Sequence, residues 1–282
     1  MAAALRKLRD RSTIKKAALT ALMLAFAVVV LLPFLFMIST SLKSEMDIHK
    51  YPVEWIPSRI VNNYSTVWSG KYQFHVYYFN SIKVTSLTLL GLILTSSLAA
   101  YGFSRIRFRG RDSLFLLYLS TIMIPDEVTL IPKFILFKYL GLNDTHAALI
   151  FPAIFNVIGV FLMRQFMLTV PMELSEAAKI DGAGEFGIWR RIFLPLTKPA
   201  MITLAVVSVI WSWNDFMKPL IFLKSVHLYT IPLGLIQFIE ETGKLYTLIT
   251  AASVSATLPP ILLFLLGQRF VIEGITSGAI KG

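Results

Sequence analysis

Cysteine is absent from the 282 residues, so disulfides, thiol catalysis and Cys-ligated zinc are excluded. Charge is scarce. Only 15% of residues are Asp, Glu, Lys or Arg, against about 25% in ordinary soluble domains. Enzyme signatures are missing as well. Gly182 to Gly187 has the spacing of a phosphate-binding loop, but Ile188-Trp189 follows where that motif needs Lys-Ser/Thr. No Gly-x-Ser-x-Gly elbow and no His-Glu-x-x-His run occurs. The four histidines (His49, His75, His146, His227) are too scattered along the chain for a metal site. These absences point to a chain that is not an enzyme and binds no cofactor or metal of its own. What is abundant is apolar: 56% of residues are hydrophobic and the mean hydropathy is +0.68. That excludes a disordered chain and weighs against a soluble globular enzyme.

The apolar residues fall into runs. A stretch of about 18 or more reads as a transmembrane helix, because the hydrocarbon core is about 30 Å thick and a helix rises about 1.5 Å per residue. Six such spans are expected, at about residues 17–38, 79–101, 113–131, 147–168, 199–214 and 248–268. The fold class is therefore all-α, a polytopic membrane protein, with 1–282 as one transmembrane domain. The first run is too long for a signal-peptide core and no small-x-small cleavage site follows it, so it is read as a retained span. The stretch from Ile131 to Leu140 is amphipathic and reads as an interfacial helix.

The formal net charge of +11 would suggest nucleic acid in a soluble protein. Its distribution suggests orientation instead. With the N-terminus inside, 17 of the 27 basic residues fall on the inner side and 10 on the outer, while the 16 acids divide 7 and 9. The excess of Lys and Arg, notably Arg105, Arg107, Arg109 and Arg111 in one short loop, places both termini in the cytoplasm.

The spans differ in content. The first carries Thr20 as its only polar side chain and reads as lipid-facing. The second is rich in Thr and Ser, as is the sixth, which includes Ser253, and Thr203, Ser208, Ser212 and Asn214 recur in and just after the fifth. Such residues favour close helix packing and interhelical hydrogen bonds. They also suit a path for an uncharged, hydroxyl-rich solute. Ser212, Asn214, Asp215 and Ser253 are the pathway candidates, with Asn214 equally suited to capping its helix. Trp211, Trp213 and Phe216 fit an aromatic belt at the membrane boundary. Ionisable residues are nearly absent from the span interiors, which argues against coupling to a proton or sodium gradient.

Residues 171–199 are the most informative segment. Pro171 can open a helix, Glu173 and Glu176 suit its early turns, and Ala177-Ala178 favours helix with minimal bulk. Asp181, Gly182 and Gly184 end it. A second short helix is expected from about Glu185 to Phe193, ended by Pro195 and Pro199. Phe186, Ile188, Trp189 and Ile192 supply bulk that needs burial, and Glu176 can pair with Lys179.

Glu176-Ala177-Ala178-x-x-Asp181-Gly182-Ala183, followed by Ile192-x-Leu194-Pro195 and Pro199, resembles the E-A-A loop of permease subunits from bacterial binding-protein-dependent ABC importers. Phe79-Asn80-Ser81, Ala99 to Arg105, Met123-Ile124-Pro125 and Gly141-Leu142-Asn143 are similar to landmarks of the sugar permeases in that family. So are Trp213-Asn214-Asp215-Phe216 with Pro219-Leu220, and the tail Gly274 to Gly282. Gly102 stands where alanine is more usual.

The resemblance implies half of a sugar or oligosaccharide pathway. It implies a second, different permease as partner, two cytoplasmic ATPase subunits that carry ATP and Mg, and an extracytoplasmic solute-binding protein. It places the chain in the bacterial inner membrane, among lipid, with no nucleic acid. Glu176, Ala177, Ala178, Asp181, Gly182, Ala183, Ile192 and Pro195 would form the ATPase-docking surface. The alternatives are an ABC permease for a non-sugar solute, or a stand-alone carrier or channel.

Overall fold

The structure is a computed structural model that describes residues 2–279, with side chains described over 15–269. The end of the Gly274 to Gly282 tail, and all of its side chains, lie outside the described residues. Among the described residues every regular element is a helix. The chain divides into two compact units, Met1–Lys71 with Thr242–Ser255, and Tyr72–Glu241 with Ala256–Gly282.

In the first unit, α1 (Ala2–Ser41) contains the first apolar run, and none of its membrane-length window is buried inside the fold. Short helices α2 (Glu45–Ile48) and α3 (Asn63–Trp68) follow. The Asn63 side-chain amide donates to the carbonyls of Ser41 and Lys43 at 2.9 and 2.8 Å, satisfying groups that the end of α1 leaves open. The Glu45 carboxylate accepts from the backbone N–H groups of Tyr246 and Thr247, both at 3.1 Å, and from the Thr247 hydroxyl at 2.8 Å. These are the free amides at the start of the last helix, where an acid is favoured.

The second unit is built on α4 (Phe74–Arg105). At 32 residues this helix is about 48 Å long, more than one bilayer core needs. After it come α5 (Arg111–Ser120), α6 (Asp126–Tyr139), α7 (Ala147–Ala153) and α8 (Val157–Thr169). Small residues allow α4 and α8 to meet closely. A Cβ on Gly159 of α8 would lie 2.5 Å from Ser96 Oγ of α4, and one on Gly91 of α4 would lie 2.5 Å from Cγ2 of Ile154, in the connection between α7 and α8. The Asn156 side chain starts α8 by accepting from Gly159 N–H at 2.9 Å.

Residues 113–131, expected as one span, are not one helix. A 3₁₀ turn (Thr121–Met123) ends α5, and the α5 and α6 segments are bent by 97°. Pro125 is the cause: it biases Ile124 toward extended backbone, observed at φ −87°, ψ 111°. The stretch from Ile131 to Leu140 is the later part of α6 rather than a separate helix.

Between α8 and the fifth span lie α9 (Glu173–Ile180), α10 (Glu185–Ile188), a π-helical turn (Trp189–Phe193) and α11 (Leu194–Leu196). The fifth span is α12 (Lys198–Trp213), and α13 (Met217–Phe222), α14 (Ile231–Glu241) and α15 (Tyr246–Ala279) complete the chain. Among the described residues, four helical segments are long and apolar enough to cross a membrane, or up to six when each bent pair counts as one.

Candidate functional site

Glu173 and Glu176 occupy the first turn of α9, where the helix dipole favours acids. Its other end closes in a Schellman turn. Gly182 N–H donates to Lys179 O at 3.0 Å and Ala183 N–H to Ala178 O at 2.9 Å. Gly182 has φ +81°, which only glycine adopts without strain. A Cβ there would meet nothing within 4 Å, so the glycine serves the backbone and leaves open space outside.

The turn separates two unlike helices. Glu176, Ala177, Asp181 and Gly182 are exposed, and Ile180 is 87% exposed. Ala178 and Ala183 are half-buried and pack on the core beneath. The second helix is anchored. Ile188, Trp189 and Phe193 are buried in one core with Leu92, Ala100 and Tyr101 of α4, Met163 and Met167 of α8, and Ala200 and Leu204 of α12. Burial of side chains this size contributes roughly 1.5–3 kcal/mol each.

Of the expected docking residues, Ile192 is half-buried and Pro195 exposed. Pro195 does not end the second helix: it sits at the first turn of α11, which continues from the π turn to Leu196. Pro171 precedes α9 by two residues rather than opening it. Phe186, expected inside, is 64% exposed and lies against Trp189 with ring centroids 5.1 Å apart.

Lys179 pairs not with Glu176 but with Glu185, Nζ to Oε1 at 2.6 Å. The Schellman turn folds the start of α10 back toward the end of α9 and makes Glu185 the nearer acid. The Tyr101 hydroxyl donates to the other oxygen, Oε2, at 2.6 Å. Lys179 first, and Tyr101 second, hold the Glu185 carboxyl below the usual range.

Arg105, one turn beyond Tyr101 on α4, is buried, and no carboxylate pairs with it among the described residues. Its guanidinium donates to the carbonyls of Met167 and, at 2.6 Å, Val170, and lies 4.6 Å from the Phe193 ring centroid. The C-terminal end of α8 suits a cation. In the sequence Arg105 reads as an orientation signal and as the end of the Ala99 to Arg105 landmark, and nothing there pairs Tyr101 with Glu185.

The pathway candidates are dispersed. Asn214 caps α12, its side-chain amide donating to Ile210 O at 2.8 Å. Asp215 accepts from Lys218 N–H at 3.2 Å, with Lys218 Nζ at 3.6 Å. Both line an open cleft of about 590 Å³ with Asp126, Glu127 and Trp211. Ser212 does not line it, and its hydroxyl lies 3.3 Å from that of Thr85. Ser253, in the other compact unit, donates to Ile249 O of its own helix at 2.9 Å.

The loop before α7 is bound differently. Asp144 has φ +59°. Its carboxylate accepts from Lys224 N–H and Ser225 N–H, each at 2.8 Å, and from the Ser225 hydroxyl at 2.5 Å. These bonds, the Ser225 hydroxyl foremost, pull its pKa down to about 2. Nearby, His146 Nε2 lies 2.9 Å from Leu228 O, and the Asn80 amide donates to His227 O and Tyr229 O at 2.8 and 3.0 Å.

The sequence profile of the family described as "Binding-protein-dependent transport system inner membrane component" matches residues 88–272. The arabinooligosaccharides transport system permease protein of Bacillus subtilis (strain 168) is 33% identical over 273 residues, covering 96% of this chain and 97% of that protein. The galactooligosaccharides transport system permease protein of the same organism is 34% identical, covering 93% and 94%. The fold is similar to a chain in the crystal structure of a bacterial ABC transporter involved in the import of the acidic polysaccharide alginate. The TM-score is 0.83 at 24% identity, over 91% of this chain and 96% of that one.

Proposed function

The chain belongs to the family of binding-protein-dependent transport system inner membrane components, and on that premise we propose that it forms half of an ATP-driven import pathway for a sugar or oligosaccharide. A second permease supplies the other half, and two cytoplasmic ATPase subunits bind ATP and Mg. A solute-binding protein delivers the solute from outside. Both termini are cytoplasmic, as the excess of Lys and Arg on that side supports.

The observation that carries the reading is the surface of α9 and its turn. Glu176, Ala177, Asp181 and Gly182 form a low, exposed face with open space over Gly182. The residues just after it, Ile188, Trp189 and Phe193, are sunk in the helical core. A protein that seats on this face takes hold of the core through one short connection. Closure of the ATPase dimer then favours one state of the pathway over the other, a population shift. Ala178, Ala183, Ile192 and Pro195 border or support the seat.

Relatives named for arabinooligosaccharide and galactooligosaccharide transport support a sugar as the solute. The cleft lined by Trp211, Asn214, Asp215 and Lys218 offers an aromatic face and neutral and charged hydrogen-bonding groups suited to hydroxyls. Ser212, in the same compact unit as that cleft, is a further candidate for the path, and Ser253 is a separate candidate in the other unit. Reconstitution tests the reading. Vesicles holding this chain, its partner permease and the ATPases take up sugar only with ATP and the solute-binding protein. Solute-specific flux through this chain alone would overturn it.

A further inference from the structure

The last turns of α4 hold the loop at three points. Tyr101 and Arg105 stand four residues apart, on one face of the helix, and are 4% and 7% exposed. Arg105 holds the C-terminal carbonyls of α8 and the face of Phe193. The Tyr101 ring meets the Phe193 ring edge-on at 5.3 Å, and its hydroxyl reaches Glu185 at 2.6 Å. Glu185 opens α10, just before the π turn Trp189–Phe193, and Phe193 is the last residue of that turn. One face of α4 therefore grips the second loop helix at its start and at the end of its π turn, a feature that often marks functional sites in helices.

Glu185 also faces outward. Its second oxygen is 2.6 Å from Lys179 Nζ, in the last turn of α9. A chain of two polar contacts thus runs from the exposed docking helix to a buried side chain of α4. The contacts are unequal. Lys179 and Glu185 are 50% and 45% exposed, and such surface pairs contribute little. The Tyr101 bond is a short charge-assisted one, among the stronger hydrogen bonds. The hydroxyl is separable from the packing, since phenylalanine would keep the ring against Phe193.

We propose that Tyr101, Glu185 and Lys179 are positioning residues that transmit movement of the docking helix into α4, and so set how much solute is carried per ATP hydrolysed. The proposal rests on the reading of α9 as the ATPase seat. Arg105 and the buried aromatic core keep the second helix in place, and the Tyr101–Glu185 bond keeps it in register with α4 while the seat moves. Loss of the bond leaves a loop that still receives the ATPase but slips against α4.

The test uses the full complex with its ATPases, partner permease and solute-binding protein in vesicles, measuring ATP hydrolysis and sugar uptake together. Tyr101→Phe and Glu185→Gln retain wild-type ATPase content and hydrolyse ATP, while sugar carried per ATP falls about ten-fold. Lys179→Gln lowers the ratio by about two-fold, as suits an exposed pair. The charge-swapped double variant, Lys179→Glu with Glu185→Lys, recovers more of the ratio than Glu185→Lys alone. An unchanged ratio in both Tyr101→Phe and Glu185→Gln overturns the proposal. So does loss of the ATPase from either variant, which would make the contact part of the seat. A wild-type complex that carries sugar without binding the ATPase overturns the parent reading instead, and is seen before any variant is made.

Discussion

Two loops of the same compact unit solve opposite problems. The segment around Asp144 is tied to the segment 224–229: one carboxylate takes three donors from Lys224 and Ser225, and His146 and Asn80 reach carbonyls at Leu228, His227 and Tyr229. The segment around Gly182 satisfies its own backbone with a Schellman turn and leaves Glu176, Ala177 and Asp181 outward. Polar groups that are spent internally fix a loop. Polar and small groups left over make a surface for another molecule. The comparison predicts that substitutions at Gly182 act on assembly and those at Asp144 act on stability.

The largest effect is expected from Gly182→Trp. It places a bulky side chain in the open space over the turn and forces a non-glycine residue to φ +81°. Sugar uptake is abolished, while co-purification of the partner permease stays at wild-type level. Loss of the partner permease as well would break the distinction between the two loops.

Asp144→Ala is next. It leaves two backbone donors and a hydroxyl without their acceptor and costs about 2 kcal/mol of stability, measured as a lower Tm in detergent, with ATPase content unchanged. The pH dependence has a fixed sign. The pKa of Asp144 is lowered from 3.8 to about 2, so its contribution is fully present above the unfolded value and is lost as pH falls through the folded one. Wild-type Tm therefore drops more steeply than that of the variant over this acid range.

Gly102→Ala should have the smallest effect. Gly102 lies inside α4, and a Cβ there meets nothing within 4 Å. Alanine should stabilise by up to about 1 kcal/mol, the helix-propensity difference between the two residues. A fall in Tm would show that the space beside Gly102 is occupied in the assembled complex.

The legible parts of the molecule were those set by local sequence. Glycine after an alanine-rich helix gave the turn at Gly182, acids gave the first turn of α9, and apolar runs gave the membrane helices. The bend at Pro125 was missed because hydropathy sums over a window and does not register a change of direction. The exposure of Phe186 was missed because bulk alone does not say which residues of a short helix face the core. Tyr101–Glu185 was out of reach for a different reason. The residues are 84 positions apart and meet only through helix packing. Helix spacing pairs Lys179 with Glu176, and the turn that brings Glu185 beside it instead is not visible in spacing. Among pathway candidates, Asn214 and Asp215 share a cleft, while Ser212 and Ser253 have partners elsewhere.

The central claim is that the exposed face of α9 seats an ATPase. Its most direct measurement is the amount of ATPase captured by affinity-purified permease carrying Glu176→Lys, which reverses the charge in the first turn of α9. The account predicts that ATPase capture falls by about ten-fold or more while the two permeases remain together. ATPase captured at the wild-type level would contradict it.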